Sequence, residues 1–120
     1  IIFNYDALEM YRSVYICEGA LNALTIGDRG IATMGKVVSK YQLNELIKAP
    51  CQRYIILLDN NDKKYAIELA LKLIQYKKVK LVLFDDNRDV NDLGRKAVLK
   101  KVYETRYATY QGLIKLKNSL

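Results

Sequence analysis

The chain has 120 residues, 51% of them hydrophobic, and a single Pro. That suits one domain with a real core and argues against disorder. A formal net charge of +7 with no His excludes His-based catalysis and most zinc sites. Any chemistry must come from carboxylates, amides, Lys, Arg, Tyr or a bound metal.

No apolar run approaches the roughly 20 residues needed to span a bilayer, and no basic-then-apolar leader is present. No membrane partner is expected. The chain starts with Ile rather than Met, so it is read as a piece of a longer protein or one whose start is missing. Cys17 and Cys51 sit beside apolar runs without metal-type spacing and read as buried structural thiols.

In chain order, residues 1–3 form a short apolar entry, and Asp6 caps a short helix over 7–11. Residues 13–17 are β-branched, aromatic and apolar without alternation, as in a strand buried on both faces. Glu18 and Gly19 follow. The spacing predicts a helix over 20–26 with Leu21, Leu24 and Ala20 facing in, ended by Gly27 or Gly30. A second buried strand covers 30–34, closed by Gly35. Ser39 caps a helix over 40–48, with Leu43, Leu46 and Ile47 as its apolar stripe and Pro50 beyond its end. The run 54–58 is the strongest strand signal. Asp59-Asn60-Asn61-Asp62 reads as a turn, with Asp62 the cap of a helix over 63–76 that carries Ala66, Leu69, Ala70 and Leu73 inward. A strand follows at 79–84, then an acidic loop at 85–89. Asn91 or Asp92 caps a helix running on toward Lys101, and the remainder is helical with a break near Gly112.

Buried strands alternating with helices predict an α/β, Rossmann-like three-layer fold, with a central parallel sheet of about four strands and helices on both faces. Right-handed crossovers bring every strand's C-terminal end to one edge, where ligands bind. Glu18, Asp59 and Asp89 all fall at or just past such ends. Clustered carboxylates repel unless a cation sits between them, and an all-oxygen donor set selects Mg²⁺ or Mn²⁺. Such a site suits phosphoryl or nucleotidyl transfer, or phosphodiester hydrolysis. Asn22 lies one helical turn after Glu18, while Asn61 and Asn91 each follow an acid by two residues. Lys36, Lys63, Lys64, Arg53 and Arg88 are candidates for phosphate contact near the same edge, Lys36 the best placed.

The charge is uneven. Residues 95–120 hold seven Lys/Arg against one Glu, or +6 of the total +7. A basic tail beside an acidic site suits a polyanion partner. Of the ten Tyr, those at 5, 11, 41, 76, 103, 107 and 110 have the chemistry to stack on bases, but amphipathic packing is the simpler reading.

These motifs together resemble the Toprim domain of primases, topoisomerases and several nucleases. Val14–Gly19 resembles its first motif, Glu-Gly at a strand end. The stretch from Ile55 to Asn61 resembles the second, Asp-x-Asp, and Asp89-Val90-Asn91-Asp92-Leu93 the third. Glu18-Gly19-Ala20-Leu21-Asn22-Ala23-Leu24 is similar to the primase segment Glu-Gly-x-x-Asp-Ala-Leu. Ile31-Ala32-Thr33-Met34-Gly35 and Arg88-Asp89-Val90-Asn91-Asp92-Leu93 are similar to later primase segments, the last to phage forms. Asn22 and Asn61 stand where the family usually has Asp, and Lys63-Lys64 replace an Ala-Gly.

The resemblance implies a Toprim domain at 13–94, a lead-in at 1–12 and a basic helical segment at 95–120. It implies a DNA primase-like nucleotidyltransferase of replication, in the cytoplasm of a bacterial or phage-infected cell. Glu18 with Asn22 would be catalytic. Glu18, Asp59, Asn61, Asp89 and Asn91 would hold Mg²⁺ or Mn²⁺, and Lys36, Lys63, Lys64 and Arg88 would contact phosphates. Implied partners are a single-stranded DNA template, nucleoside triphosphates, and a helicase or other replisome protein. The alternatives are a Toprim-type nuclease and a non-catalytic module that docks nucleic acid or a replisome partner.

Overall fold

The computed structural model describes residues 1–58, 60–84 and 87–120, so Asp59, Asp85 and Asp86 lie outside the described residues. Four strands, β1 (Ser13–Cys17), β2 (Gly30–Ala32), β3 (Arg53–Ile56) and β4 (Lys78–Leu81), form one sheet. All three pairings are parallel, in the order β2-β1-β3-β4. The expected architecture of a parallel sheet with helices on both faces is therefore the observed one.

The period of two in the strands explains the two faces. Val14, Ile16, Tyr54, Ile56, Val79 and Leu81 point into one core cluster. That cluster is closed by α1 (Ala7–Met10), α3 (Lys40–Lys48), α4 (Lys63–Leu73) and α7 (Tyr110–Asn118). Cys17, Ile55, Leu57 and Val82 point into the other. It is closed by α2 (Ala20–Ile26), α5 (Val90–Leu93) and α6 (Arg95–Glu104). Cys17 and Cys51 are buried on opposite faces, in agreement with structural thiols. No helix of the described residues is long and apolar enough to cross a membrane.

Several expectations change. Leu21 and Leu24 are 69% and 62% exposed; Asn22, Ala23 and Ile26 face in instead. A Cβ on Gly30 would lie 2.4 Å from the Ala23 carbonyl oxygen, so the helix backbone rests directly on β2. Only small residues fit that contact, which turns the bulky leucines outward. The segment read as one helix from Asn91 to Lys101 is two, parted at Gly94 with φ +85°. Its cap is Asp89, whose side chain accepts from Asp92 N, while Asp92 returns the bond. The tail breaks at 105–109, not near Gly112, which lies inside α7. Thr109 caps that helix, and Ala108 N–H donates to the Val79 carbonyl at 2.7 Å, tying the break to the edge strand. Neither Asp6 nor Asp62 makes a side-chain cap; Asp62 closes a 3₁₀ turn at Asn60–Asp62. The strands read at 30–34 and 79–84 end sooner, at Ala32 and Leu81, and α4 ends at Leu73.

Candidate functional site

The C-terminal ends of β1, β2 and β3 converge on one edge. The strand order reverses between β1 and β3, the position where ligands bind in open α/β sheets. Glu18 follows β1 directly. Its backbone is fixed by the neighbouring strand's exit, because Thr33 N–H donates to the Cys17 carbonyl at 3.0 Å and Met34 N–H to the Glu18 carbonyl at 2.7 Å. Met34 reaches that bond with φ 65°, a left-handed conformation rare for a non-Gly residue. Thr33 is buried and donates its hydroxyl to the Gly35 carbonyl (3.0 Å).

Gln42 holds the loop from below, and the sequence reading missed it. Its Nε2 donates to the carbonyls of Ile1 and Thr33, both at 2.8 Å, and its Oε1 accepts from Ser39 N at 3.0 Å. Ser39 Oγ accepts from Gln42 N at 3.1 Å in return, completing a capping box on α3. The Ser-x-x-Gln spacing was the available signal.

Asn22 is only 9% exposed. Its Oδ1 accepts the backbone N–H of Asn91 at 3.2 Å, linking the first motif to the third. Burying an amide oxygen costs free energy unless it is bonded, and this bond offsets that cost. The Thr25 hydroxyl lies 3.1 Å from Asn91 Oδ1 and 3.0 Å from the Leu21 carbonyl, adding a second link from α2 to α5. No pattern along the chain marked Thr25.

Asp89 is half-buried, with one carboxylate oxygen committed to Asp92 N at 2.8 Å. Asn61 is exposed on the 3₁₀ turn. Asp59, expected as a central ligand, lies outside the described residues. Among the described residues no three His, Cys, Asp or Glu side chains come together in a group able to hold a metal ion.

Of the predicted phosphate contacts, Lys36 and Lys64 place their ammonium groups 5.5 and 5.9 Å from the Tyr65 ring centroid, within cation–π range. The depression beside Lys36 and Tyr65 holds about 40 Å³, too little for a nucleotide. Lys63 is half-buried and Arg88 exposed. Arg53 does not belong to this edge. It opens β3 at the opposite end, where its Nε donates to Ser13 Oγ at 2.7 Å.

The tyrosines divide. Tyr54 is wholly buried, donates its hydroxyl to the Leu46 carbonyl at 2.6 Å, and has its phenol pushed up chiefly by burial. Tyr41, Tyr76, Tyr103 and Tyr110 are 56% exposed or more, so packing does not account for them.

This architecture is similar in fold to part of the catalytic domains of DNA primases. The Aquifex aeolicus primase, comprising zinc-binding and RNA polymerase domains, superposes with a TM-score of 0.74 at 16% identity, over 89% of this chain and 30% of that one. The E. coli primase catalytic core gives 0.72 at 15% identity, over 99% of this chain and 42% of that one. A DnaG primase catalytic domain bound to ssDNA gives 0.67 at 17% identity, over 91% of this chain and 37% of that one. At these identities the likeness is one of fold, and this chain spans well under half of each primase chain. No family model and no curated protein matches the sequence.

Proposed function

We propose that this chain is the Toprim part of a DNA primase-like nucleotidyltransferase that works on single-stranded DNA with nucleoside triphosphates in the cytoplasm. The observation that carries this reading is the Asn22–Asn91 hydrogen bond. It joins the helix after Glu18 to the helix capped by Asp89, on a fold shared with primase catalytic domains.

The donors suit a hard divalent cation. Glu18 and Asp89 are carboxylates, Asn61 and Asn91 offer amide oxygens, and the chain has no His to favour zinc. Glu18, Asp59 and Asp89, with Asn61 and Asn91, would hold Mg²⁺ or Mn²⁺, which when bound would neutralise phosphate charge during transfer. Glu18 would act as the general base, and the bonds from Thr33 and Met34 hold the backbone around it. Asn22 acts on this site by holding Asn91. Lys36, Lys63, Lys64 and Arg88 would supply positive charge for phosphates approaching the edge.

A second reading has one observation in its favour. Asn22 replaces an expected carboxylate, and its oxygen is already spent on a backbone N–H. A module of this kind would dock nucleic acid or a replisome protein without chemistry.

The test is titration of the chain with Mn²⁺, followed by nucleotide incorporation on a single-stranded template. Binding by the wild type, weakened at least tenfold in Glu18→Gln and Asp89→Asn, with incorporation lost in both, supports the transferase. Template cleavage without triphosphates points to a nuclease. Absence of Mn²⁺ binding in the wild type sinks both enzymatic readings and leaves the docking module.

A further inference from the structure

Away from the motif edge, the α2–α6 face carries an open cleft of about 400 Å³. Its walls are Tyr11, Tyr15, Ile26 and Leu99, and Arg29 and Arg95 reach it from two separate elements. Tyr11 precedes β1 and Arg29 precedes β2, so the cleft opens at the N-terminal edge of the sheet, opposite Glu18. The Arg29 guanidinium lies 4.9 Å from the Tyr11 ring centroid. Among the described residues, neither guanidinium makes a hydrogen bond or an ion pair; Arg29 lies over that ring and Arg95 beside Gly27. Asp28 also lines the cleft but pairs with neither.

The two exposed guanidiniums set positive charge beside aromatic walls, with no carboxylate ion-paired to either. The surroundings add charge of one sign. From Arg95, α6 runs across the face to β4, where Lys80 Nζ donates to the Val102 carbonyl at 3.1 Å. Its exposed side carries Lys96, Lys100 and Tyr103, the last 88% exposed. Ten helical residues cover about 15 Å. The segment 95–120 holds +6 of the chain's +7.

We propose that this cleft is a single-stranded polynucleotide site, with Arg29 and Arg95 gripping phosphates, the tyrosine walls receiving a base, and α6 continuing the track. A positive groove with aromatic platforms is what sequence-tolerant single-strand binding requires. The site is independent of the proposed chemistry at the strand edge.

The experiment is anisotropy of a labelled oligothymidylate, titrated with the chain in EDTA across a salt series. EDTA removes metal-bridged binding at the motif edge, and the arginine variants leave that edge's lysines intact, so a changed slope reports on the cleft. For single strands each phosphate contact contributes about 0.7 to the slope of log affinity against log salt. The Arg29→Ala/Arg95→Ala pair should therefore flatten the slope by about 1.4 and weaken binding roughly tenfold at low salt. Arg95→Ala alone, which removes no side-chain hydrogen bond or ion pair among the described residues, should flatten it by about 0.7. A control pair, Lys40→Ala/Lys48→Ala on α3, should change the slope far less. The proposal is overturned if the wild type does not bind, if the arginine variants keep the wild-type slope while circular dichroism shows them folded, or if the α3 pair flattens it equally.

Discussion

Asn22 Oδ1 and the Asn91 backbone N–H are 3.2 Å apart, although 69 positions separate them in the chain. With the Thr25–Asn91 side-chain bond, this contact ties the segment that follows Glu18 to the segment that Asp89 opens. Replacing Asn22 with Ala strands a partly buried N–H, and leaving such a group unpaired costs about 1–3 kcal/mol. Urea denaturation should show that loss. Asn22→Asp keeps an acceptor and adds a negative charge at the edge. It should raise Mn²⁺ affinity in calorimetric titration while leaving the fold near wild-type stability; unchanged affinity would separate Asn22 from the metal site altogether.

Gly30→Ala tests how closely α2 lies on the sheet. The added Cβ would meet the Ala23 oxygen at 2.4 Å and the Ala23 Cα at 3.1 Å, both backbone atoms that cannot swing away. Helix and strand must separate, at a cost of about 1–3 kcal/mol or more. A thermal melt that matches the wild type would contradict this packing.

Gln42→Leu removes the donor to two carbonyls and half of the α3 capping box, yet keeps a similar volume. A loss of about 2–4 kcal/mol is expected, from two stranded acceptors and one lost cap bond. Ser39→Ala should cost less, about 1 kcal/mol. The ratio of the two urea midpoint shifts tells whether Gln42 acts beyond its own helix, by supporting the turn at Thr33.

Alkaline pH gives a signed prediction. Burial raises the Tyr54 phenol above its ordinary value near 10. The folded state therefore keeps its proton while the unfolded chain loses it. This contribution is intact below about pH 10 and declines as pH rises further, at up to about 1.4 kcal/mol per pH unit. Cys51, raised mainly by burial, adds to the same decline from about pH 9. Tyr5 is pushed up to about 12 by its hydrogen bond to the Glu45 carboxylate, 2.6 Å away, and joins in over the same range. Unfolding free energies between about pH 8 and pH 11 should show Tyr54→Phe falling less steeply than the wild type above pH 10.

The layered fold was legible because helices cover both faces of the sheet and its strands feed two core clusters. Runs such as 13–17 and 54–58 are apolar without alternation, the pattern of strands in a parallel sheet covered on both faces. Ser39, Pro50 and the inward residues of α4 were legible for local reasons. Contacts between distant segments were not. Leu21 and Leu24 look like a core stripe until Gly30 brings the α2 backbone down onto β2. Helical periodicity carries through Gly94, yet the chain turns there because φ +85° is open to glycine. At the site, topology puts Glu18 directly after β1, whereas Asp89, read as just past a strand end, caps α5 well beyond the end of β4 at Leu81. The acceptor role of Asn22 was not legible, because its partner is a backbone N–H that no spacing rule selects.

The sheet's order also sets a sequence of events for the folding chain. β1 finds β2 across 15 residues, Tyr15 beside Gly30, and β3 finds β4 across 25, Arg53 beside Lys78. The central pairing of β1 with β3 spans 40, Ser13 beside Arg53. Loop closure over that distance costs about 1 kcal/mol more than over 15 residues. Two local βαβ halves are thus expected to form first and to dock along the line between β1 and β3. Ile16→Val and Ile56→Val, which face each other across that line, should speed unfolding in stopped-flow chevrons and leave the folding limb nearly unchanged. The crevice beside Glu18 would then be the last part of the sheet to close and the first to open.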